Sequence, residues 1–407
     1  MRILLVSQYF WPESFRINDV AQGLRARGHD VDVITGMPNY PSGRYFPGYG
    51  SWGPFEEERG GVAVHRVPIV LRGNGDGWRL LLNYASYAVA ASLRVAFSAK
   101  KWDVVLAFQL SPLTSVLPAL LLRSLKHTPV LAWVQDLWPE SISASGMIRS
   151  KVVMKPLQGF CSWIYRHCDH VLVQSEAFIP RLKASGIAPD RLSYLPNWAE
   201  DLYGAPSGAP TISEAWMGGF PVMFAGNMGR VQSLETILDA AERLRDDTAI
   251  RWVFLGEGAL RGWLESEVTR RGLTERIYFL GRRPVDEMPS FFACAGALLV
   301  TLKGDEIISL TIPSKIQSYL AAGVPILGAL DGEGARVINE SQAGWAGPAD
   351  DAVTLAANVK RMASLSQEAR AEMGRRGRAY SDAHFGRTMC LDRLEQMLTS
   401  FQGKREA

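Results

Sequence analysis

The sequence predicts two α/β domains, each a parallel sheet wound with helices on both faces. Three observations predict it. The chain has 407 residues, 47% of them hydrophobic and 21% charged, enough for two domains of roughly 200 residues each. Short apolar runs alternate with helical patterns from end to end, as in parallel sheets covered on both sides. The Pro/Gly/Ser-rich stretch Ala205-Pro206-Ser207-Gly208-Ala209-Pro210 interrupts the alternation near the middle and has little to pack. The expected domains are residues 1–203 and 204–380, with a last helical segment, 381–407.

The elements follow in order. Residues 3–6 are a buried first strand, since Ile3-Leu4-Leu5-Val6 is apolar throughout. Further strands fall at 31–35, 62–67, 104–107, 130–134, 171–173 and 192–195. Helical periodicity falls between them at 20–27, 80–97, 113–125, 151–167 and 177–185. After the interruption come strands at 222–225, 250–255, 277–280, 298–302 and 326–329. Helices at 234–244, 260–271 and 314–322 separate them, and 352–365, 368–380 and 388–401 close the chain.

Composition narrows the function classes. Residues 1–200 carry 21 Lys and Arg against 15 Asp and Glu, and the remainder 23 against 26. The basic excess of the first half suits an anionic partner, a phosphorylated substrate or a membrane surface. No Lys/Arg-rich run or aromatic platform suggests nucleic acid. Cys161, Cys168, Cys294 and Cys390 have no metal-ligand spacing and read as buried apolar residues in a reducing compartment. No metal site is expected. The first apolar run is too short for a signal peptide. Residues 80–97 are too polar to span a bilayer and suit a core-facing or interfacial helix.

The second domain places turns of glycine after three strands: Gly226-Asn227-Met228-Gly229-Arg230, Gly256-Glu257-Gly258 and Gly281-Arg282-Arg283. Glycine there lets backbone amides approach a ligand, and an Arg pairs readily with phosphate. Thr311-Ile312-Pro313-Ser314-Lys315 then opens a helix with Ser and Lys in its first turn. Free amides and the positive dipole end favour an anion, and Lys315 adds a full charge. Together these residues form a candidate seat for a nucleotide diphosphate.

The first domain carries a different set. The loop after its first strand, Trp11-Pro12-Glu13-Ser14-Phe15-Arg16-Ile17-Asn18-Asp19, lacks the glycines a dinucleotide would need. Pro38-Asn39-Tyr40-Pro41 follows the second strand, and Gln135-Asp136-Leu137-Trp138-Pro139-Glu140 follows the run 130–134. Asp136 would take a proton from a sugar hydroxyl or hold it in line; the competing role is a helix N-cap. Glu140 competes with a solvated or ion-paired role.

These phrases, with Ser7-Gln8-Tyr9-Phe10, Leu195-Pro196-Asn197-Trp198 and Gly226 through Pro325, carry a resemblance that runs almost the whole length of the chain. The sequence resembles GT-B retaining glycosyltransferases of family 4, and within them the bacterial N-acetyl-L-fucosamine transferases of O-antigen and capsule assembly. The resemblance implies two Rossmann-like domains facing across a cleft, the last helix crossing back to the first. It implies a UDP-sugar donor on the second domain, at Gly226, Asn227, Gly229, Gln232, Gly256, Gly258, Gly281, Arg282, Arg283, Thr311, Ser314, Gln317 and Ser318. An acceptor on the first domain would meet Glu13, Arg16, Asn18, Asp19, Asn39, Tyr40, Trp138 and Glu140.

The chain also departs from the family pattern. The Arg and Lys usual in the first donor loop are Asn227 and Gln232 here, which leaves Arg230 as the substitute cation. The usual pair of glutamates falls at Leu310 and Ser318, so Gln317 and Ser318 stand in for their sugar contacts. The implied chemistry needs no metal. Asp136, Arg230 and Lys315 carry it, and the leaving phosphate accepts the proton in a front-face attack. The acceptor implied is a saccharide on a polyprenyl diphosphate, reached from the inner face of the plasma membrane by a cytoplasmic, peripherally bound enzyme. Two other readings are a UDP-sugar 2-epimerase of the same fold and a non-catalytic scaffold of polysaccharide assembly.

Overall fold

Ile3, Leu4, Leu5 and Val6 are each 0% exposed, because a central parallel strand is covered on both faces. They belong to β1 (Arg2–Val6) in the computed structural model of the chain, which describes residues 1–73, 77–141, 151–199, 201–203 and 215–402. The Pro/Gly/Ser-rich stretch 205–210 lies outside the described residues. The chain divides into two units, Met1–Pro196 with Thr388–Ala407, and Asn197–Arg387.

The first unit is built on an eight-stranded sheet of order β3-β4-β2-β1-β5-β6-β7-β8. Its further strands are β2 (Asp30–Gly36), β3 (Glu56–Arg59), β4 (Val62–Val67), β5 (Val104–Gln109), β6 (Val130–Val134), β7 (His170–Val173) and β8 (Leu192–Tyr194). All pairs are parallel except β3 with β4. The sequence gives no sign of β3, since Glu56-Glu57-Glu58-Arg59 is charged throughout. An antiparallel edge strand facing water needs no apolar run. The expected helix at 20–27 begins earlier, as Arg16–Ala26. Its N-cap, Phe15, has no capping side chain to mark the start. The pattern at 113–125 resolves into a 3-10 turn, Leu113–Val116, and a helix, Leu117–Lys126, with Pro118 fitting the new helix start.

The last helix, Arg387–Gln402, groups with the first unit from Thr388 onward. Cys390, Leu391, Leu394 and Leu398 are each 0% exposed. Leu391 packs where Gly23 leaves room, since a Cβ on Gly23 would stand 2.6 Å from Leu391 Cδ1. Arg27 pairs with Asp392 at 2.7 Å, and His29 meets Glu395 at 2.8 Å.

The second unit holds a six-stranded, all-parallel sheet of order β11-β10-β9-β12-β13-β14. Its strands are β9 (Phe220–Ala225), β10 (Ile250–Leu255), β11 (Ile277–Gly281), β12 (Ala297–Thr301), β13 (Ile326–Ala329) and β14 (Gly344–Gly347). Pro221 is tolerated in the central strand β9 because pairing with β12 begins only at Val222. The chain runs outward from β9 to β11 and then returns to β12 on the other side of β9. Each sheet therefore has a switch point, at β1/β5 and at β9/β12, where ligands of such sheets bind beyond the strand ends.

Candidate functional site

In the second unit the loops leaving β9, β10 and β11 are laced to one another by their backbones. Gly226 N donates to Leu255 O at 2.8 Å, Met228 N to Glu257 O at 2.8 Å, and Gly256 N to Gly281 O at 2.8 Å. The glycines are required by this contact. Gly256 has φ +138, and a Cβ on it would lie 2.1 Å from Gly226 O; one on Gly258 would lie 2.5 Å from Met228 N. The sequence suggested that these amides face a ligand. Those of Gly226 and Gly256 instead hold the loops together, whereas those of Asn227 and Gly229 have no acceptor among the described residues.

The loop from β9 closes over the start of the Ser314–Ala322 helix. Pro313 is its N-cap and supplies no capping side chain, so the amides of Ser314 and Lys315 remain open. Lys315 folds back beneath Gly226. Its Nζ donates to Gln232 Oε1 at 2.8 Å and sits 3.6 Å from the centroid of the Phe224 ring. A Cβ on Gly226 would meet Lys315 Cε at 2.7 Å, so glycine makes the room. No carboxylate pairs with Lys315 among the described residues, and burial pulls its pKa down to about 7. The ammonium thus lies against Gln232, the position where the resemblance leads one to expect a lysine. Anchoring comes from Tyr319, buried and bonded to both Ala225 N, at 3.1 Å, and Ala225 O, at 3.2 Å.

Other expected donor residues are placed differently. Arg230 is exposed and pairs with no carboxylate among the described residues. It lines a pocket of about 550 Å³ with Ser233, Asp239, Trp263, Lys303 and Asp350, and Lys315 is not among the residues that line it. Gln317 is 1% exposed, and its Nε2 donates to Asn197 O at 2.8 Å. That bond holds the fold, leaving Oε1 buried without a partner. Ser318 and Thr311 are half-buried, Arg282 is exposed beyond Gly281, and the Arg283 guanidinium lies 5.5 Å from the Phe291 ring.

In the first unit the loops after β1 and β2 are joined by Glu13, which is 2% exposed. Its carboxylate accepts from Asn39 N at 2.8 Å, Tyr40 N at 2.7 Å and Phe10 N at 3.3 Å. Burial pushes its pKa up to about 7 against the pull of these amides. Asn18 ties the same loop, accepting from Trp11 N at 3.1 Å and donating to Glu13 O at 2.7 Å. Asn39 is fully buried, whereas Tyr40 is 38% exposed and clusters with Tyr9 and Phe15. The guanidinium of Arg72 lies 4.7 Å over the Tyr40 ring. Arg16 and Asp19 are half-buried at the start of the Arg16–Ala26 helix.

Beyond β6, Asp136 accepts from Ser111 Oγ at 2.9 Å, and Trp138 Nε1 donates to the same hydroxyl at 3.2 Å. Burial raises the Asp136 pKa, opposed by the Ser111 bond. Ser111 escaped the sequence reading, although Leu110-Ser111-Pro112 after β5 is a polar turn at the end of a central strand. Glu140 keeps one carboxylate oxygen buried without a partner among the described residues. Among the described residues no group of three or more His, Cys, Asp or Glu is placed to hold a metal ion, and no helix is long and apolar enough to cross a membrane.

Comparison with known proteins follows this division. Residues 14–198 match the family described as glycosyl transferase 4-like domain, and residues 219–364 match glycosyl transferases group 1. The chain is 29% identical over 290 residues to a probable glycosyltransferase, WbjE, of Pseudomonas aeruginosa, covering 67% of this chain and 69% of that one. It is 25% identical over 343 residues to the putative colanic acid biosynthesis glycosyl transferase WcaI of Escherichia coli K12, covering 79% and 82%. HepE of Anabaena, solved in complex with UDP, superposes with a TM-score of 0.68 at 14% identity, over 98% of this chain and 100% of that one. Two glycosyl transferase domains, matched over residues 14–198 and 219–364 on two α/β sheets that share the GT-B fold, make this chain a glycosyltransferase.

Proposed function

We propose that the chain transfers a sugar from a UDP-sugar, with retention and without a metal, to a saccharide on a polyprenyl diphosphate during surface-polysaccharide assembly. The observation that carries this reading is the Lys315 ammonium, sunk beneath Gly226 beside an uncapped helix start with no carboxylate among the described residues to neutralise it. A diphosphate would take the open amides of Ser314, Lys315 and Gly229 and the ammonium together. These donors stabilise the charge that develops on the leaving phosphate as the glycosidic bond breaks. Arg230, exposed on the same loop, is the weaker candidate cation.

In the first unit Asp136, steadied by Ser111, orients the acceptor hydroxyl. Glu13, Asn18 and Asn39 shape the loops that present Tyr40, Arg16 and Asp19 to the acceptor. The UDP complex of HepE supports the donor class, and the colanic acid name of the Escherichia coli relative supports the pathway class. The resemblance to fucosamine transferases favours an N-acetylated deoxyhexosamine as the sugar moved. Attachment to the inner face of the plasma membrane fits the lipid-linked acceptor.

The test is transfer from radiolabelled UDP-sugars to membrane lipid extracts, with and without a chelator. Asp136→Asn should lower turnover about tenfold or more while UDP affinity stays at the wild-type value. Unchanged turnover in that variant, together with a lowered melting temperature, would give Asp136 a structural role instead. Activity abolished by the chelator and restored by a divalent ion would end the metal-independent mechanism.

A further inference from the structure

One face of the Gly77–Ala96 helix is apolar and open to water. Leu81 is 59% exposed and Val89 is 61% exposed. Both line a groove of about 730 Å³, whose other walls include Ala85, Ala88, Leu117 and Leu157. That volume is typical of a small-molecule site, and exposed apolar surface of this kind marks an interaction site. The small side chains of Ala85 and Ala88, one helical turn apart, keep the slot open along its length.

The polar end of the groove is formed by Tyr84, Ser111 and Trp138. Ser111 is the hydroxyl bonded to Asp136. Burial raises the Tyr84 phenol pKa, with Arg72 opposing the rise and Asp136 adding to it. Arg72 pairs with no carboxylate among the described residues, and its Nε is buried without a partner. Arg79 follows one turn into the helix, packing its chain near Gly73 and its guanidinium 5.5 Å from the Trp78 ring, and it too has no ion pair. An apolar slot with two arginines nearby that pair with no carboxylate among the described residues is complementary to an apolar chain with an anionic head.

We propose that this groove holds the first isoprene units of the lipid diphosphate acceptor, with the Arg72 guanidinium on the diphosphate and the attached saccharide directed to Asp136. The assignment rests on the reading of the acceptor as lipid-linked and gives that acceptor a defined seat. A protein helix or a second copy of the chain would cover the apolar wall, but neither would account for the nearby Arg72, whose Nε is buried without a partner among the described residues. The groove also makes Ser111 a positioning residue, since it bonds Asp136 from the wall that the lipid would touch.

The experiment is calorimetric titration of the full chain with farnesyl diphosphate, kept below its micelle concentration, beside farnesol, inorganic diphosphate and UDP. Wild type should bind farnesyl diphosphate saturably and more tightly than either fragment. Ala85→Trp, at an exposed helix position, fills the slot and should weaken farnesyl diphosphate by about tenfold or more. Arg72→Gln should weaken it by a similar factor while changing farnesol less than about threefold. Both variants should keep the wild-type circular dichroism spectrum and melting temperature, which shows that they fold, and wild-type UDP affinity. Absence of saturable binding to wild type overturns the proposal, as does Ala85→Trp binding within about twofold of wild type. Farnesol and farnesyl diphosphate losing affinity equally in Arg72→Gln would overturn the head-group assignment. The UDP arm reads on the second unit alone, so a failure of the donor reading shows there and leaves the groove result intact.

Discussion

Glu13, in the loop beyond β1, and Lys315, in the first turn of the Ser314–Ala322 helix, are two titratable groups whose pKa values burial moves to about 7. Their surroundings differ. Glu13 receives three backbone amides across both oxygens. Lys315 has one neutral carbonyl oxygen and the face of a ring. An ammonium has three donors, so the hydrogen-bonding capacity of Lys315 is largely unused. The comparison separates a buried charge that builds the fold from one that waits for a ligand. By this criterion Glu13, expected from the sequence to meet the acceptor, acts through the loops it ties.

The comparison breaks first at Glu13. Glu13→Ala would leave the amides of Asn39 and Tyr40 buried without an acceptor, at about 1–3 kcal/mol each. We expect a loss of roughly 3–5 kcal/mol in unfolding free energy, read from the urea midpoint. Nucleotide affinity in the second unit should not change. A loss below about 1 kcal/mol would mean that water replaces the carboxylate, and Glu13 would no longer serve as the structural member of the pair.

Lys315 should show the reverse pattern. Lys315→Met keeps the apolar stem and removes the ammonium, weakening UDP by about 1.5–3 kcal/mol, the scale of a charge-assisted hydrogen bond. Stability should hold or rise, because the ammonium is buried without a counter-charge. The folded pKa, about 7, lies below the 10.5 of an ordinary lysine. The unfolded chain therefore binds the proton more tightly between these values. The burial cost is fully present below pH 7 and fades as pH rises toward 10.5, so the gain in Lys315→Met should be largest at neutral pH and below. Binding a diphosphate restores the charge and takes up a proton above pH 7. Wild-type UDP affinity should then fall by up to about tenfold per pH unit between pH 7 and 9, and Lys315→Met should be flat there. A flat wild-type profile would show that the ammonium is already charged in the free protein.

The strands of both sheets were legible where they are covered on both faces. Residues 3–6, 130–134 and 250–255 are nearly continuous apolar runs, and such runs have one stable place in an α/β protein. β3 and β14 were not legible. Glu56–Arg59 is charged and Gly344–Gly347 is Gly-rich, and each is an edge strand whose pairing is set by its neighbour rather than by its own pattern. The helix Gly332–Glu340 opens Gly-Glu-Gly, which hides its start. At the site, the position of Lys315 in a first helical turn was visible as local sequence. Its contact with Gln232, 83 residues away, was not, because no periodicity encodes which loop closes over a helix end. Ser111 was missed for the same reason: its partner Asp136 comes from the neighbouring strand, 25 residues on.

The smallest expected effect sharpens the choice between the two candidate cations of the donor seat. By sequence alone Arg230 stands in for the missing loop lysine. The structure leaves it exposed beside Ser233, Asp239 and Trp263, and puts the Lys315 ammonium against Gln232 instead. A solvated guanidinium contributes little to a pair, typically about 0–1 kcal/mol, and that contribution is screened by salt. Arg230→Ala should therefore weaken UDP by less than about 1 kcal/mol, and the difference should vanish at high salt. The Lys315→Met loss should persist there, since a buried charge is screened far less. Equal, salt-resistant losses in the two variants would place Arg230 inside the seat when nucleotide binds, and the loop from β9 would have to swing its guanidinium over Gly229 to do so. Additivity separates the cases further: independent cations give a double variant whose loss is the sum of the single losses, whereas two cations on one phosphate give a coupled, non-additive loss.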